Sequence, residues 1–208
     1  MATWSSLYQY VLPDAPGCPE LVIDQNLRQA AIDFLRDSGS YIVTVPAFAY
    51  TANVSAYAHA PAADIQLSGV VEALVAGQTT AMRMGTPSVA YLATTALYPR
   101  VFIAGDDNST FTLWPTPTTP GTLAYRYSAY PTQSATTVPD IVVAQWADAI
   151  ARGAKARILA LPGKSYTNTK LSVLYEQQFR AAINRAKILR QRSALTAGTR
   201  VRFWSFGV

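Results

Sequence analysis

At 208 residues the chain can bury one sizeable core, or one core with a smaller satellite module. Only 14% of its residues are charged and 50% are hydrophobic, with 12 Tyr, 7 Phe and 4 Trp, which leaves open a Tyr-rich soluble domain or a protein whose surface is covered by subunit contacts. One cysteine excludes an intrachain disulfide, no basic-then-apolar leader opens the chain and no apolar run approaches the ~20 residues of a membrane span, so a protein made and kept in a reducing cytosol until assembly is expected, despite a net charge of +5.

Trp4 to Tyr10 is a short apolar-aromatic lead, followed by a rigid loop through Pro13, Pro16, Gly17 and Pro19. A helix is predicted from about Glu20 to Asp37, because Ile23, Leu27, Ala30, Ala31 and Phe34 recur at steps of three and four. Ser38-Gly39-Ser40 should end it, since Gly accepts the left-handed turn that closes helices.

From Tyr41 to Val138 the texture is β-prone. Strands are predicted at Tyr41 to Val45, Leu67 to Val75 and Ser88 to Leu92, with a turn at Ala76-Gly77-Gln78. Val101 to Ile103 and Thr110 to Trp114 flank Gly105-Asp106-Asp107-Asn108, a hairpin signal. Thr122 to Tyr130 alternates, with Leu123, Tyr125 and Tyr127 on one face. Short strands at this spacing predict a small antiparallel sandwich or barrel.

A second helix should start at Pro139-Asp140, where the Asp140 carboxylate can cap the first free N–H groups. Trp146, Ile150 and Gly153 share a stripe, and the small residues Ala144, Ala147, Ala151 and Ala154 would let a neighbouring helix approach. Leu161-Pro162-Gly163 stops it. A third helix, capped by Thr167 or Asn168, is expected from Thr169 to about Arg192. Its apolar face is Leu171, Tyr175, Phe179, Ala182, Ala186 and Leu189, and its polar stripe is Arg180, Asn184, Lys187 and Gln191. The fold class read from this order is α+β. A helical bundle (residues 1–40 and 139–193, with helices at about 20–38 and 140–192) carries an inserted small antiparallel β module (41–138) and an extended C-terminal tail (194–208).

Charge is unevenly spread. Residues 1–151 hold 5 Lys and Arg against 11 Asp and Glu, whereas residues 152–208 hold 12 against the single acid Glu176. A basic end meets an anionic partner such as nucleic acid or an acidic protein face, or it is a solvated helix face with a basic tail. Arg180, Lys187, Arg190 and Arg192 are candidate subunit or DNA contacts. In the tail, Arg200, Val201, Arg202, Phe203, Trp204, Phe206 and Val208 combine arginines with aromatics that are costly to leave in water. The tail either folds back on its own core or docks on a partner.

Catalytic signatures are weak. Gly163-Lys164-Ser165 resembles the end of a phosphate loop, but Ile158 stands where the loop needs a glycine, and a helix precedes it. His59 is the only histidine and has no nucleophile motif beside it. One His and one Cys make a poor zinc set, and Asp106-Asp107-Asn108 lacks calcium-loop spacing. Asp33 and Asp37, one helical turn apart, read as solvated surface. No catalytic, cofactor-binding or metal-ligating residue is assigned, and the chain is not read as an enzyme.

Four stretches in consistent order resemble the head-to-tail adaptor (connector, or tail-tube gatekeeper) proteins of short-tailed bacteriophages. They are Trp4 through Cys18-Pro19 into Leu27-Arg28-Gln29-Ala30-Ala31-Ile32-Asp33-Phe34, then Asn108 to Pro117. Val138-Pro139-Asp140 with Ala147 to Ala154 is the third, and Leu161 to Lys164 with Asn168 and Phe179 to Ile183 the fourth. The resemblance implies a ring, usually a dodecamer, docked between the portal protein and the tail nozzle or tail tube. It also implies residence at the head–tail junction of the virion after assembly in the host cytoplasm, passing contact with genomic DNA, and no cofactor or membrane. Two other readings stand beside it: a basic nucleic-acid-binding protein, and another neck or tail-completion protein.

Overall fold

A computed structural model describes residues 1–59, 61–62, 64–85, 95–105 and 109–195. The predicted strand at Ser88 to Leu92, the hairpin tip at 106–108 and residues 196–208 of the tail predicted at 194–208 lie outside the described residues, whereas residues 194 and 195, expected in the tail, continue the last helix.

The fold is mixed α+β, and its chain opens with helical turns that periodicity could not show. A 3-10 turn at Trp4–Leu7 runs into helix α1 (Tyr8–Val11), burying Trp4, Leu7 and Val11. The Trp4 indole N–H donates to the Ala135 carbonyl at 2.9 Å, which ties the lead to the segment before the second long helix. There β1 (Ala2–Thr3) pairs antiparallel with β11 (Thr137–Val138).

Helix α2 (Glu20–Ser38) buries Ile23, Leu27, Ala30, Ala31 and Phe34, as its stripe requires. It ends at Gly39, whose φ of +58° is left-handed and whose N–H bonds to the Leu35 carbonyl at 2.8 Å. A Cβ at Gly39 would also collide with the Arg190 guanidinium.

Helix α3 (Asp140–Leu159) follows Pro139. The expected Asp140 cap does not form. Its carboxylate instead takes the Met1 ammonium at 2.6 Å, and the helix start has no side-chain cap. The acid still sits at the positive end of the helix dipole. Ala147, Ala151 and Ala154 are buried, but Ala144 is exposed and lies off the contact stripe. Gly153 is the point of closest approach, because a Cβ there would lie 2.6 Å from the Phe179 ring.

Helix α4 (Thr169–Leu195) is capped by Asn168, whose Oδ1 accepts from the Leu171 N–H at 3.2 Å. Thr167 is spent on the preceding turn, where its hydroxyl donates to the Leu161 carbonyl. Phe179, Ile183 and Ala186 are buried, and Arg180, Asn184, Lys187 and Gln191 are exposed. Leu189, expected in the apolar face, is 46% exposed, whereas Ile183, one turn after Phe179, is buried. The three long helices and the opening turns share one apolar cluster, in which Phe34 meets Trp146 at 5.2 Å and Phe179 at 6.1 Å between ring centroids.

The β region holds a second cluster. Strands β2 (Ile42–Tyr50), β10 (Gly121–Pro131) and β4 (Ile65–Val75) form an antiparallel sheet in the order β2-β10-β4. β2 runs through Pro46, where the strand had been expected to stop. It can do so because β2 is an edge strand and the register slips there, Leu123 facing Phe48 and Tyr125 facing Val45. Tyr50, Leu123, Tyr125 and Tyr127 are buried on its inner face.

The facing sheet has the order β3-β8-β7-β5, from β3 (Ala56–Ala58), β8 (Thr110–Trp114), β7 (Val101–Ala104) and β5 (Arg83–Gly85). β7 and β8 pair antiparallel, as the hairpin signal predicted. The expectation of an antiparallel module fails at two places. β5 pairs parallel with β7, and β6 (Thr95–Ala96) pairs parallel with β9 (Thr116–Pro117). Both pairs are short and join segments well apart in the chain, so no turn between them dictates an antiparallel return. Tyr41, between α2 and β2, packs against both clusters.

Candidate interaction surfaces

Two part-buried polar contacts tie the helices together. Asp14, in the Pro-rich loop, accepts from the Lys155 ammonium at 2.8 Å and from the Tyr175 hydroxyl at 2.9 Å, joining the loop to α3 and α4. Lys155 also lies 4.5 Å from the Tyr175 ring centroid. Burial pushes the Asp14 carboxyl up, but the hydrogen bonds from Lys155 and Tyr175 and the lysine charge outweigh it, so the carboxyl stays below the usual range. The second pin is Asp33, which takes Arg157 of α3 at 2.5 Å, Arg36 at 3.2 Å and the Gln29 amide at 3.0 Å. Asp33 is therefore not the solvated surface acid its spacing suggested, because its main partner is 124 positions away.

The β core is held by aromatic rings. Phe102 stacks on Phe111 at 4.6 Å, and Phe48 meets Phe111 edge-on at 5.1 Å. His59 is buried beside them, with Nδ1 2.7 Å from the Tyr125 hydroxyl and the ring edge-on to Tyr127 at 4.8 Å. Its Nε2 is buried with no hydrogen-bond partner among the described residues. Desolvation lowers the His59 pKa and raises that of Tyr125 to about 12. This is a neutral core histidine in an aromatic wall. Cys18 is buried in the helical cluster, so the one histidine and the one cysteine serve different cores. Among the described residues no group of three or more His, Cys, Asp or Glu could hold a metal, and no helix is long and apolar enough to cross a membrane.

The Gly163-Lys164-Ser165 segment is an exposed turn after α3, with Gly163 at φ +71°. It makes no phosphate loop, since no strand precedes it.

What remains is surface. Along α4 the exposed Arg180 pairs with Glu176 at 2.7 Å, Lys187 is exposed two turns along the same face, and Arg192 is exposed near the helix end. Arg180 and Lys187 border a groove of about 430 Å³ that also takes in Arg36, Asp37 and Arg157. Arg190 lies instead over Gly39, on the rim of a larger groove of about 630 Å³ between α3, α4 and the start of β2. Three of the four candidate cations of α4, Arg180, Lys187 and Arg190, thus border two grooves. Arg185, which lines the larger one, was not singled out in the sequence, although it lies one helical turn before Leu189. The tail residues Arg200, Val201, Arg202, Phe203, Trp204, Phe206 and Val208 lie outside the described residues.

No curated protein matches the chain. A family model described as SU10 adaptor protein matches residues 2–202, which is nearly all of it. The chain belongs to the SU10 adaptor protein family, and is a phage adaptor protein and a component of the virion.

Proposed function

We propose that this chain is a subunit of the head-to-tail adaptor ring that docks under the portal, joins head to tail and lines the DNA passage. The observation that carries this reading is the family match, which runs through both apolar clusters and on into the basic tail. In this reading the helical part, residues 1–40 and 139–193, forms the ring wall. The β module, 41–138, faces the tail nozzle or tail tube. The tail, 194–208, enters the portal through Arg200, Arg202, Phe203, Trp204 and Phe206. The ring is a dodecamer closed by head-to-tail contacts, and it assembles in the host cytoplasm.

The work of such a ring is mechanical, so no catalytic group is required and none is assigned. Genomic DNA touches the lumen only in passing, since tight phosphate contacts would stall it. The basic residues of α4 and the tail then serve protein contacts first.

The test is imaging of the chain mixed with its portal protein, full length and truncated before Thr199. Ring density extending the portal, lost on truncation, is the expected result. A full-length chain that leaves the portal unchanged would overturn the reading.

The basic stripe of α4 favours a second reading, a nucleic-acid-binding protein. Its signature is tight DNA binding that falls steeply with salt, with no effect on the portal. A third reading, another neck or tail-completion protein, differs in where the chain sits in the particle.

A further inference from the structure

The largest groove among those described lies between three elements. Ile42 at the start of β2, Trp146 of α3, and Arg185, Leu189 and Arg190 of α4 line it. Its lining is mixed: Ile42, Trp146 and Leu189 are apolar, Ser40 and Gln145 are polar, and both cations come from α4. Trp146 is half-buried and leans on Phe34, so the groove is backed by the helical core. A smaller hollow of about 210 Å³ continues it past Trp146 to Ile141, which is 57% exposed, and Leu189 is 46% exposed.

The first turn of α2 has the opposite character. Leu21 is 69% exposed, the highest value among the exposed large hydrophobics of the described residues. Glu20 is exposed beside it, and Asp24 follows one turn later with its carboxylate held by the Tyr8 hydroxyl at 2.8 Å. An exposed leucine flanked by acids thus stands against a groove that pairs apolar side chains with arginines.

The two surfaces cannot meet within one molecule. The Leu21 tip sits at the start of α2, and the groove adjoins Ser40 and Ile42 just past its end. At about 1.5 Å per residue, the 19-residue helix holds them roughly 28 Å apart. A self-complementary pair carried at opposite ends of one rigid helix describes a heterologous contact, in which each copy offers one surface to its predecessor and the other to its successor.

We infer that the groove beside Trp146 receives the α2 tip of a second copy of this chain, Leu21 meeting its apolar side chains while Glu20 faces Arg185. The occupant is a second copy because the chain itself carries the complementary apolar and acidic side chains. The charge split of the sequence has the same sense, acids before residue 152 and cations after it. The inference rests on the ring reading and names the surfaces that would close the ring.

The experiment uses the full-length chain with its portal protein, and reads both the self-association of the chain by light scattering and ring formation by imaging. Leu21→Asp and Arg185→Glu are both exposed changes, and each should raise the concentration needed for assembly by at least about tenfold. Glu20→Lys alone should weaken assembly too, and Glu20→Lys combined with Arg185→Glu on one chain should restore it, because every interface regains an opposite pair. Circular dichroism of each variant separates lost assembly from lost folding. A wild-type ring that all these variants leave unchanged, or a charge-swapped chain no better than its parents, would overturn the inferred surface while the ring reading stands. A wild-type chain that assembles neither alone nor on the portal would overturn both.

Discussion

The helical core and the β core are built from different materials. The helices meet through small residues, Ala147, Ala151, Gly153 and Ala154, and are registered by Asp14 with Lys155 and Asp33 with Arg157. The β core has no ion pair of that kind among the described residues. It is a wall of Phe48, Phe102, Phe111 and Tyr125 with one buried histidine. Polar pins of fixed length specify one arrangement of helices, because a buried charge without its partner is costly. Aromatic packing stabilises through area and ring geometry, and tolerates bulges such as the one at Pro46.

That contrast can be broken at several points. The largest effects should come from the two ring centres. Phe34→Ala and Phe111→Ala each remove a fully or almost fully buried ring and should cost about 3–5 kcal/mol by urea unfolding. If the two cores unfold separately, each variant will shift only one transition. A single shared transition would show that the two cores are coupled, and Tyr41 packs against both.

Next comes the pin. Asp14→Ala leaves the Lys155 ammonium buried and should cost about 2–3 kcal/mol, below the 3–5 of a fully buried pair because Asp14 keeps some contact with water. The sign with pH follows from the lowered carboxyl. The stability Asp14 supplies is complete above its unfolded pKa of 3.8 and is lost as pH falls from there through the folded value, so the wild type should lose this margin below about pH 4 and Asp14→Ala should not. Third, Asn168→Ala removes the α4 cap and should cost about 1 kcal/mol.

The smallest effect is a slope. His59 has a lowered pKa because it is desolvated, so the unfolded chain binds its proton first. The urea midpoint should be constant above the ordinary histidine value of 6.5 and decline as pH falls below it, through the folded value. His59→Phe should flatten that decline, and an unchanged slope would mean that His59 titrates alike in both states.

The contrast between the cores also explains what could be read in advance. The helices announced themselves through local signals: the stripe from Ile23 to Phe34, Gly39 as terminator, Asn168 as cap. Their pins did not, because Asp33 and Arg157 are distant in sequence and nothing local couples them. Trp4 to Tyr10 was legible as an apolar-aromatic lead but not as helix, because two short turns carry too few residues for a period to show. In the β region the inner face of Leu123, Tyr125 and Tyr127 was legible from alternation. The parallel pairs were not, since a strand's partner is chosen by tertiary packing. The basic stripe of α4 was readable, while the groove it borders exists only once Ile42, Trp146 and Leu189 are brought together.

The most direct test is a reconstruction of the neck of purified virions at a resolution that shows helices. The account predicts density between portal and tail into which α2, α3, α4 and the β sandwich fit, repeated around the axis with the helices forming the wall. A neck fully explained by other proteins, with this chain located elsewhere in the particle, would contradict it.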